Sequence, residues 1–185
     1  MSTVPAKADK PGVATFRPIG VVHTPFETPV GMPIQPCGAE GVAGEIEIYP
    51  EFAEGLKDLE GFSHLWLIYW LHEVKSASLI VKPFLDTVEH GIFATRSPKR
   101  PNAIGLSVVR LKRVDGNRIA VENVDVLNGT PLLDIKPYVP AFDQVPATRI
   151  GWFAGKAGQA VQVRSDARFA ESSDHDEMHK VEKSS

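Results

Sequence analysis

Proline and glycine cut this chain into short pieces, and most of the apolar pieces between them alternate at a period of two. The 185 residues include 15 of each. Glu45-Ile46-Glu47-Ile48-Tyr49 alternates polar with apolar, the pattern of a half-exposed strand. Residues 16–22 read as a first strand, and Pro18 confines it to an edge or delays its start to Ile19. Residues 106–114 alternate, turn at Asp115-Gly116-Asn117 and return over 118–127; Asp-Gly is a strong hairpin signal. Asn128-Gly129-Thr130-Pro131 is a further turn before a strand at 132–138, and 152–153 and 160–164 read as terminal strand pieces. Only residues 50–59 read as a helix, with Pro50 at its start, Glu51 and Glu54 in its first turns and Phe52, Leu56 and Leu59 on one face. About seven short strands and one short helix predict an all-β domain, a barrel or a sandwich.

Residues 64–72, His-Leu-Trp-Leu-Ile-Tyr-Trp-Leu-His, are the most apolar segment. Aromatic content favours a strand. His64, Trp66, Ile68, Trp70 and His72 share one face, and Leu65, Leu67, Tyr69 and Leu71 the other. Both faces are apolar, so the strand is expected to be central and buried on both sides. His64 reads as a core imidazole, and His72, where the strand exits beside Glu73, as a site candidate.

Between a short strand at 92–95 and the strand beginning at Leu106 lies Arg96-Ser97-Pro98-Lys99-Arg100-Pro101-Asn102. Two prolines fix φ twice and remove two backbone donors, so this piece is a stiff loop and neither helix nor central strand. Pro98 and Pro101 should hold Lys99 and Arg100 away from Arg96 and toward solvent. Such a loop either grips an anion with little loss of entropy or is a solvated basic turn. Net charge is −3 overall, yet residues 82–118 hold eight basic and three acidic residues, a local excess of +5. An anionic partner should land there. The Pro- and Gly-rich stretch at 29–44, a long irregular loop, is the other expected contributor to a site.

Several chemistries lack their motifs. No Gly-x-Gly-x-x-Gly opens a helix, and no Gly-x-x-x-x-Gly-Lys-Ser/Thr is present. Cys and His do not cluster at metal-ligand spacing, and neither Ser97 nor Ser107 sits in a nucleophile elbow. Cys37 is the single cysteine, so no intramolecular disulfide forms, as suits a reducing compartment. No apolar run approaches about 18 residues. These features read as a cytoplasmic protein without membrane or metal. Residues 1–12 and 166–185 are polar, without apolar period, and read as tails around one domain at 13–165.

Two long blocks carry a resemblance. They are Gly-Ile-Phe-Ala-Thr-Arg-Ser-Pro-Lys-Arg-Pro-Asn-Ala-Ile-Gly-Leu-Ser at 91–107 and Asn-Gly-Thr-Pro-Leu-Leu-Asp-Ile-Lys-Pro-Tyr at 128–138. With Ile-Gly-Val-Val-His-Thr-Pro-Phe at 19–26, Gln35-Pro36 and Phe-Ser-His-Leu-Trp-Leu at 62–67, they make residues 16–143 resemble the TsaA-like family of TrmO-type tRNA methyltransferases. The resemblance implies a single compact β-barrel that binds S-adenosyl-L-methionine without a Rossmann sheet, as a homodimer. It implies methyl transfer to N6 of threonylcarbamoyladenosine at position 37, in the tRNA anticodon loop. By motif position it assigns donor contacts to Gln35, Pro36 and Cys37, to His72 and Glu73, to Arg96 and Leu106, and to Asp125, Val126, Leu127 and Asn128. Lys99, Arg100 and Asn102 are the candidate contacts to the tRNA. The sequence departs from the family at Asn128, where Asp is typical, and in the short segment after the barrel, where longer relatives carry a further domain.

The residue chemistry is compatible. Arg96 suits the donor's carboxylate, Asp125 its ribose hydroxyls or ammonium, and Leu106 its adenine. His72, Glu73 and Asp134 are all candidates to take the acceptor's proton, and the sequence does not choose among them. The alternative reading is a barrel that binds the methyl donor but methylates another substrate or senses the ligand.

Overall fold

The computed structural model describes residues 14–169. The expected tail at 1–12 and residues 170–185 of the tail expected at 166–185 lie outside the described residues. In chain order the strands are β1 (Gly20–His23), β2 (Ala43–Ile48), β3 (His64–Trp70), β4 (Ile80–Val81), β5 (His90–Gly91), β6 (Ile104–Asp115), β7 (Arg118–Glu122) and β8 (Thr130–Pro137). Six of them close an antiparallel barrel in the order β1-β2-β7-β6-β3-β8, while β4 and β5 form a separate two-stranded ladder. The all-β barrel expectation is borne out.

Closure follows from local chemistry. Asp115-Gly116-Asn117 turns β6 into β7, with Gly116 at φ 60, and Gly129, at φ 75, turns the chain into β8. Residues of the left-handed region favour glycine because it has no Cβ to clash. Two register shifts, near Leu111 and Arg113 on β6 and near Ile68 and Tyr69 on β3, bend the sheet. Such bulges increase local twist and help a six-stranded sheet curl onto itself.

Alternation sorts the side chains. Val22, Ile46, Ile48, Leu65, Leu67, Val109, Ile119, Val121 and Leu132 point inward and are fully buried. The barrel is one sheet thick, so the outward face of β3 has no second layer over it. The expectation that β3 is buried on both sides is therefore corrected: Trp66 and Ile68 are half-buried and Trp70 is 47% exposed. Tyr138 gives partial cover, its ring 5.8 Å from Trp66. The strand is central in its pairing, with β6 on one side and β8 on the other.

Three local expectations are also corrected. Residues 50–59 wind as a 3-10 helix at Pro50–Leu56, followed by a second turn at Leu59–Gly61. Asp58 between them is left-handed, at φ 66, which breaks any α-helix there. Phe52, Leu56 and Leu59 still pack against the core. The α-helical turn lies instead at Pro140–Asp143. Ile92–Ala94 is a 3-10 turn and not a strand: the Thr95 hydroxyl donates to Ile92 O at 2.9 Å and accepts from Ser97 N at 3.2 Å, which offers the backbone an alternative to a ladder. Residues 152–153 fall in the 3-10 turn Gly151–Phe153 and residues 160–161 in the 3-10 turn Ala157–Val161, and of residues 162–164 Arg164 makes a lone bridge to Pro33. Among the described residues no helix is long and apolar enough to cross a membrane.

Gly105 lies opposite Tyr69 in the β3–β6 ladder, and a Cβ on Gly105 would overlap the buried Tyr69 ring. Gly105→Ala should therefore destabilise the barrel by about 1–3 kcal/mol, the range for overpacking a close-packed core. Gly91→Ala, whose Cβ would meet nothing within 4 Å, is the control. Urea unfolding of the two variants makes the comparison; equal midpoints would show that the ring yields at no cost.

Candidate functional site

The strand ends at one mouth of the barrel open into a cleft of about 530 Å³. Four segments build its walls. The irregular loop before β2 contributes Pro33, Ile34 and Gln35; the exit of β3 contributes Tyr69, Leu71, His72 and Glu73. The proline loop and the start of β6 add Arg96, Ser97, Arg100, Ile104 and Leu106, and the chain after β7 adds Asp125, Val126 and Leu127. A fifth group comes from near the end of the described chain: Trp152, Phe153, Ser165, Asp166 and Phe169.

This last segment is anchored across the cleft by named contacts. Trp152 donates from Nε1 to Ala94 O at 2.7 Å, and its ring is stacked on His90 at 4.5 Å and on Phe153 at 3.8 Å. Asp86 accepts from Lys156 Nζ at 2.5 Å and from His90 Nε2 at 3.1 Å. The Lys156 ammonium, then His90, hold the Asp86 carboxyl well below the usual carboxylate range. Arg168 donates to Pro83 O at 2.8 Å and lies over the Phe84 ring. Ser165 fixes the opposite wall by accepting from Met32 N at 2.9 Å.

Charge within the cleft is arranged with both signs. Arg96 donates to Gln35 Oε1 at 2.5 Å and is otherwise exposed. Ser107 Oγ donates to Asp125 Oδ1 at 2.6 Å. Burial pushes the Asp125 carboxyl up to about 6, against the opposing pull of Ser107 and the more distant Arg96. Burial, then the Asp125 charge, also pushes the Tyr69 hydroxyl above its ordinary value. In the same wall Ser97 Oγ is buried without a hydrogen-bond partner. His72 Nε2 stands 3.3 Å from Glu73 Oε1.

A model of the tRNA-methyltransferase O N-terminal domain matches residues 21–144. The chain belongs to this family. A Pyrococcus abyssi relative named a probable S-adenosyl-L-methionine-binding protein is 50% identical over 159 residues, which span 86% of each chain. A rat tRNA (adenine(37)-N6)-methyltransferase is 36% identical over 134 residues, covering 69% of this chain and 31% of the rat protein. The crystal structure of TrmO from Pseudomonas aeruginosa superimposes with a TM-score of 0.64 at 38% identity, over 76% of this chain and 63% of that one. The chain thus spans less than two thirds of the rat enzyme and of the solved TrmO chain.

In this TrmO-family barrel the fold gathers Gln35, His72, Glu73, Arg96, Leu106, Asp125, Val126 and Leu127 around one cleft. It does not bring every candidate there. Pro36 faces a second depression, shared with Arg96, Leu106 and Tyr138, and Cys37 is exposed on the 3-10 turn Pro36–Gly38. Asn128 lies outside the cleft wall: its Nδ2 donates to Glu27 at 3.0 Å and its Oδ1 accepts from Thr24 N at 3.1 Å, pinning the chain after β1. An amide makes both bonds, whereas Asp would repel Glu27. Asp134 is occupied on β8 by Lys136 at 2.8 Å and does not line the cleft.

The basic loop differs from expectation in one arm. Arg100 turns back, donating from Nη1 to Thr95 O at 2.9 Å and to Ile92 O at 3.1 Å, instead of pointing to solvent. Lys99 and Asn102 do not line the cleft. Farther along, Arg110, Lys112, Arg113 and Arg118 of the β6–β7 hairpin pair with Glu122, Asp115, Glu45 and Glu47. The local excess of +5 is thereby largely neutralised on the hairpin, and cation density remains at the proline loop.

Sequence reasoning did not find Tyr69, Ser107 or the aromatic wall of Trp152, Phe153 and Phe169. Ser107 had one visible signal, a polar residue between Gly105 and Val109 on the inward face of its strand.

Asp125 has a folded-state pKa above the ordinary carboxylate value of about 3.8. Its contribution to stability is therefore fully present below about 3.8 and is lost as pH rises through about 6. Asp125→Asn keeps the acceptor for Ser107 without the charge. The variant should be more stable than the natural chain at alkaline pH by about 1–3 kcal/mol, the difference shrinking as pH falls below about 6 and vanishing below about 3.8. Urea unfolding across pH measures this, and a pH-independent difference would be incompatible with a raised Asp125 pKa.

Proposed function

We propose that this chain binds S-adenosyl-L-methionine in the cleft and transfers its methyl group to N6 of threonylcarbamoyladenosine 37 of tRNA. The observation that carries the reading is the convergence of the Arg96 guanidinium, the Asp125 carboxylate and the apolar Ile104, Leu106, Val126 and Leu127 on one cleft. This set matches the parts of the donor. Arg96 offers a planar fork to an amino-acid carboxylate, Asp125 accepts from hydroxyl or ammonium donors, and the apolar groups take an adenine. Ser97 Oγ, buried without a partner, leaves a polar atom free in the same wall. When bound, the donor supplies an electrophilic methyl on a sulfonium.

The chain's own part is positioning, which can lower the barrier by holding acceptor and methyl in line. Of the three candidates for the acceptor's proton, His72 and Glu73 face the cleft while Asp134 is engaged with Lys136. The proposal therefore assigns proton removal to the His72–Glu73 pair. Lys99, with Arg100 and Asn102, is assigned to the anticodon loop, where phosphate contacts dominate affinity. Arg100 acts there chiefly by stiffening the loop through its two carbonyl bonds. A barrel domain at 13–165, a cytoplasmic location and a homodimer complete the reading. The rat relative's name supports the tRNA substrate. The Pyrococcus relative's name supports a second reading, a barrel that binds the donor and methylates another substrate or senses the ligand.

Methyl transfer from labelled S-adenosyl-L-methionine to tRNA, with and without the threonylcarbamoyl group, separates these readings. Transfer is expected only to the modified tRNA; calorimetric binding of the donor without transfer would favour the second reading. Arg96→Ala should cost about 1.5–3 kcal/mol of donor affinity, as for a charge-assisted hydrogen bond, and unchanged affinity would remove Arg96 from the site. Light scattering should give twice the 20.2 kDa chain mass, and a monomer mass would reject the dimer.

A further inference from the structure

Three side chains from three parts of the chain form a hydrogen-bonded line where the barrel interior meets the cleft. Tyr69 on β3 and Ser107 on β6 are buried, and their hydroxyls are 3.0 Å apart. Ser107 Oγ is 2.6 Å from Asp125 Oδ1, in the segment after β7. A serine hydroxyl has one proton and two lone pairs. Ser107 gives that proton to Asp125, so the Tyr69 hydroxyl must donate to Ser107. Every direction in the line is then fixed. The Tyr69 ring has no freedom to turn away, because it fills the space left by the absent side chain of Gly105.

We propose that Ser107, oriented by Tyr69, is a positioning residue that holds Asp125 as a fixed carboxylate in the donor cleft, leaving its second oxygen for the hydroxyl or ammonium donors of the bound ligand. This rests on the reading of the cleft as the donor site and deepens it. The hydrogen bonds that act on the Asp125 carboxylate come from the Ser107 hydroxyl and from the backbone N–H of Asp125 itself. A charged hydrogen bond of this kind favours the ionised acid, and so opposes the burial that favours the neutral one. The titratable and charged groups sharing the cleft are Tyr69, His72, Glu73 and Lys75 around the β3 exit, Arg96 and Arg100 on the proline loop, and Asp166 in the C-terminal segment. Of these, Arg96 acts on Asp125 by charge alone and in the same direction as Ser107.

A line that served only to satisfy buried hydroxyls would affect stability when removed. A positioning line also sets the proton affinity of Asp125. The two roles separate in a carboxyl NMR titration of the ligand-free protein and in calorimetric titration with S-adenosyl-L-methionine across pH. In the natural chain Asp125 should titrate near 6, and donor affinity should fall as pH drops through that value. Ser107→Ala should raise the Asp125 midpoint by about one unit, a tenfold tighter proton, and carry the affinity profile upward with it. That variant leaves the Tyr69 hydroxyl buried without a partner. The double variant Tyr69→Phe/Ser107→Ala removes both polar groups, which is far better tolerated, and should show the same shift. An unchanged Asp125 midpoint in the folded double variant overturns the proposal, as does an affinity profile that stays in place. Absence of donor binding by the natural chain at any pH overturns instead the donor-site reading beneath it.

Discussion

Closure of the sheet by the pairing of β1 with β8 is the constraint on which the rest of the molecule depends. Only three residue pairs make the seam: Gly20 with Leu132, Val21 with Pro131 and Val22 with Thr130. Without it β1 and β8 would be exposed edges, and the inward residues of six strands would lack a common interior. Gly20 is required at the neighbouring β1–β2 contact, since a Cβ there would collide with the Glu47 carbonyl. Pro131 lies in the seam opposite Val21 and contributes no backbone donor to it. Thr24 Oγ1 donates to Val126 O at 2.8 Å just beyond the seam, which ties the end of β1 to the cleft wall. Barrel closure and cleft geometry are thus mechanically linked.

Inside the barrel, polarity changes along the axis. Leu65 faces Val109, Leu67 faces Ser107, and Tyr69 faces Gly105 across the β3–β6 ladder. One half is hydrocarbon, and the half nearest the cleft holds the hydroxyls of Tyr69, Ser107 and Thr130. Buried polar groups are tolerated when they bond one another, and here the bonded line leads to Asp125. The electrostatic character of the cleft is therefore set partly by nearly buried hydroxyls at its floor.

The architecture was legible where period-two alternation met turn chemistry. Ile46 and Ile48 in β2, the Asp115-Gly116 hairpin and the Gly129 turn all read directly from the residues. Residues 92–95 misread because their apolar content mimics a strand, while the decisive Thr95 hydroxyl bonds are invisible in a pattern. Residues 50–59 showed the right buried face but neither the tighter winding of Pro50–Leu56 nor the break at Asp58, whose backbone is left-handed. In the site, Arg96, Leu106 and Asp125 followed from the resemblance carried by the long motif blocks. The orientation of Arg100 did not, because two prolines fix a backbone without dictating where a long side chain finds carbonyls. Trp152 and Phe153 lay beyond the matching region and gave no alternation to connect them with the proline loop.

The anchoring of Trp152 to Ala94 and of Lys156 to Asp86 has a consequence for the order in which the molecule is completed. Every barrel strand has been synthesised by Pro137, whereas the aromatic wall follows from Trp152 onward. During synthesis the barrel can close first, with its mouth open on that side. The late segment must then find its partners 58 and 70 residues back along the chain. Ligand affinity should therefore be the last property a growing chain acquires, after the sheet itself is complete.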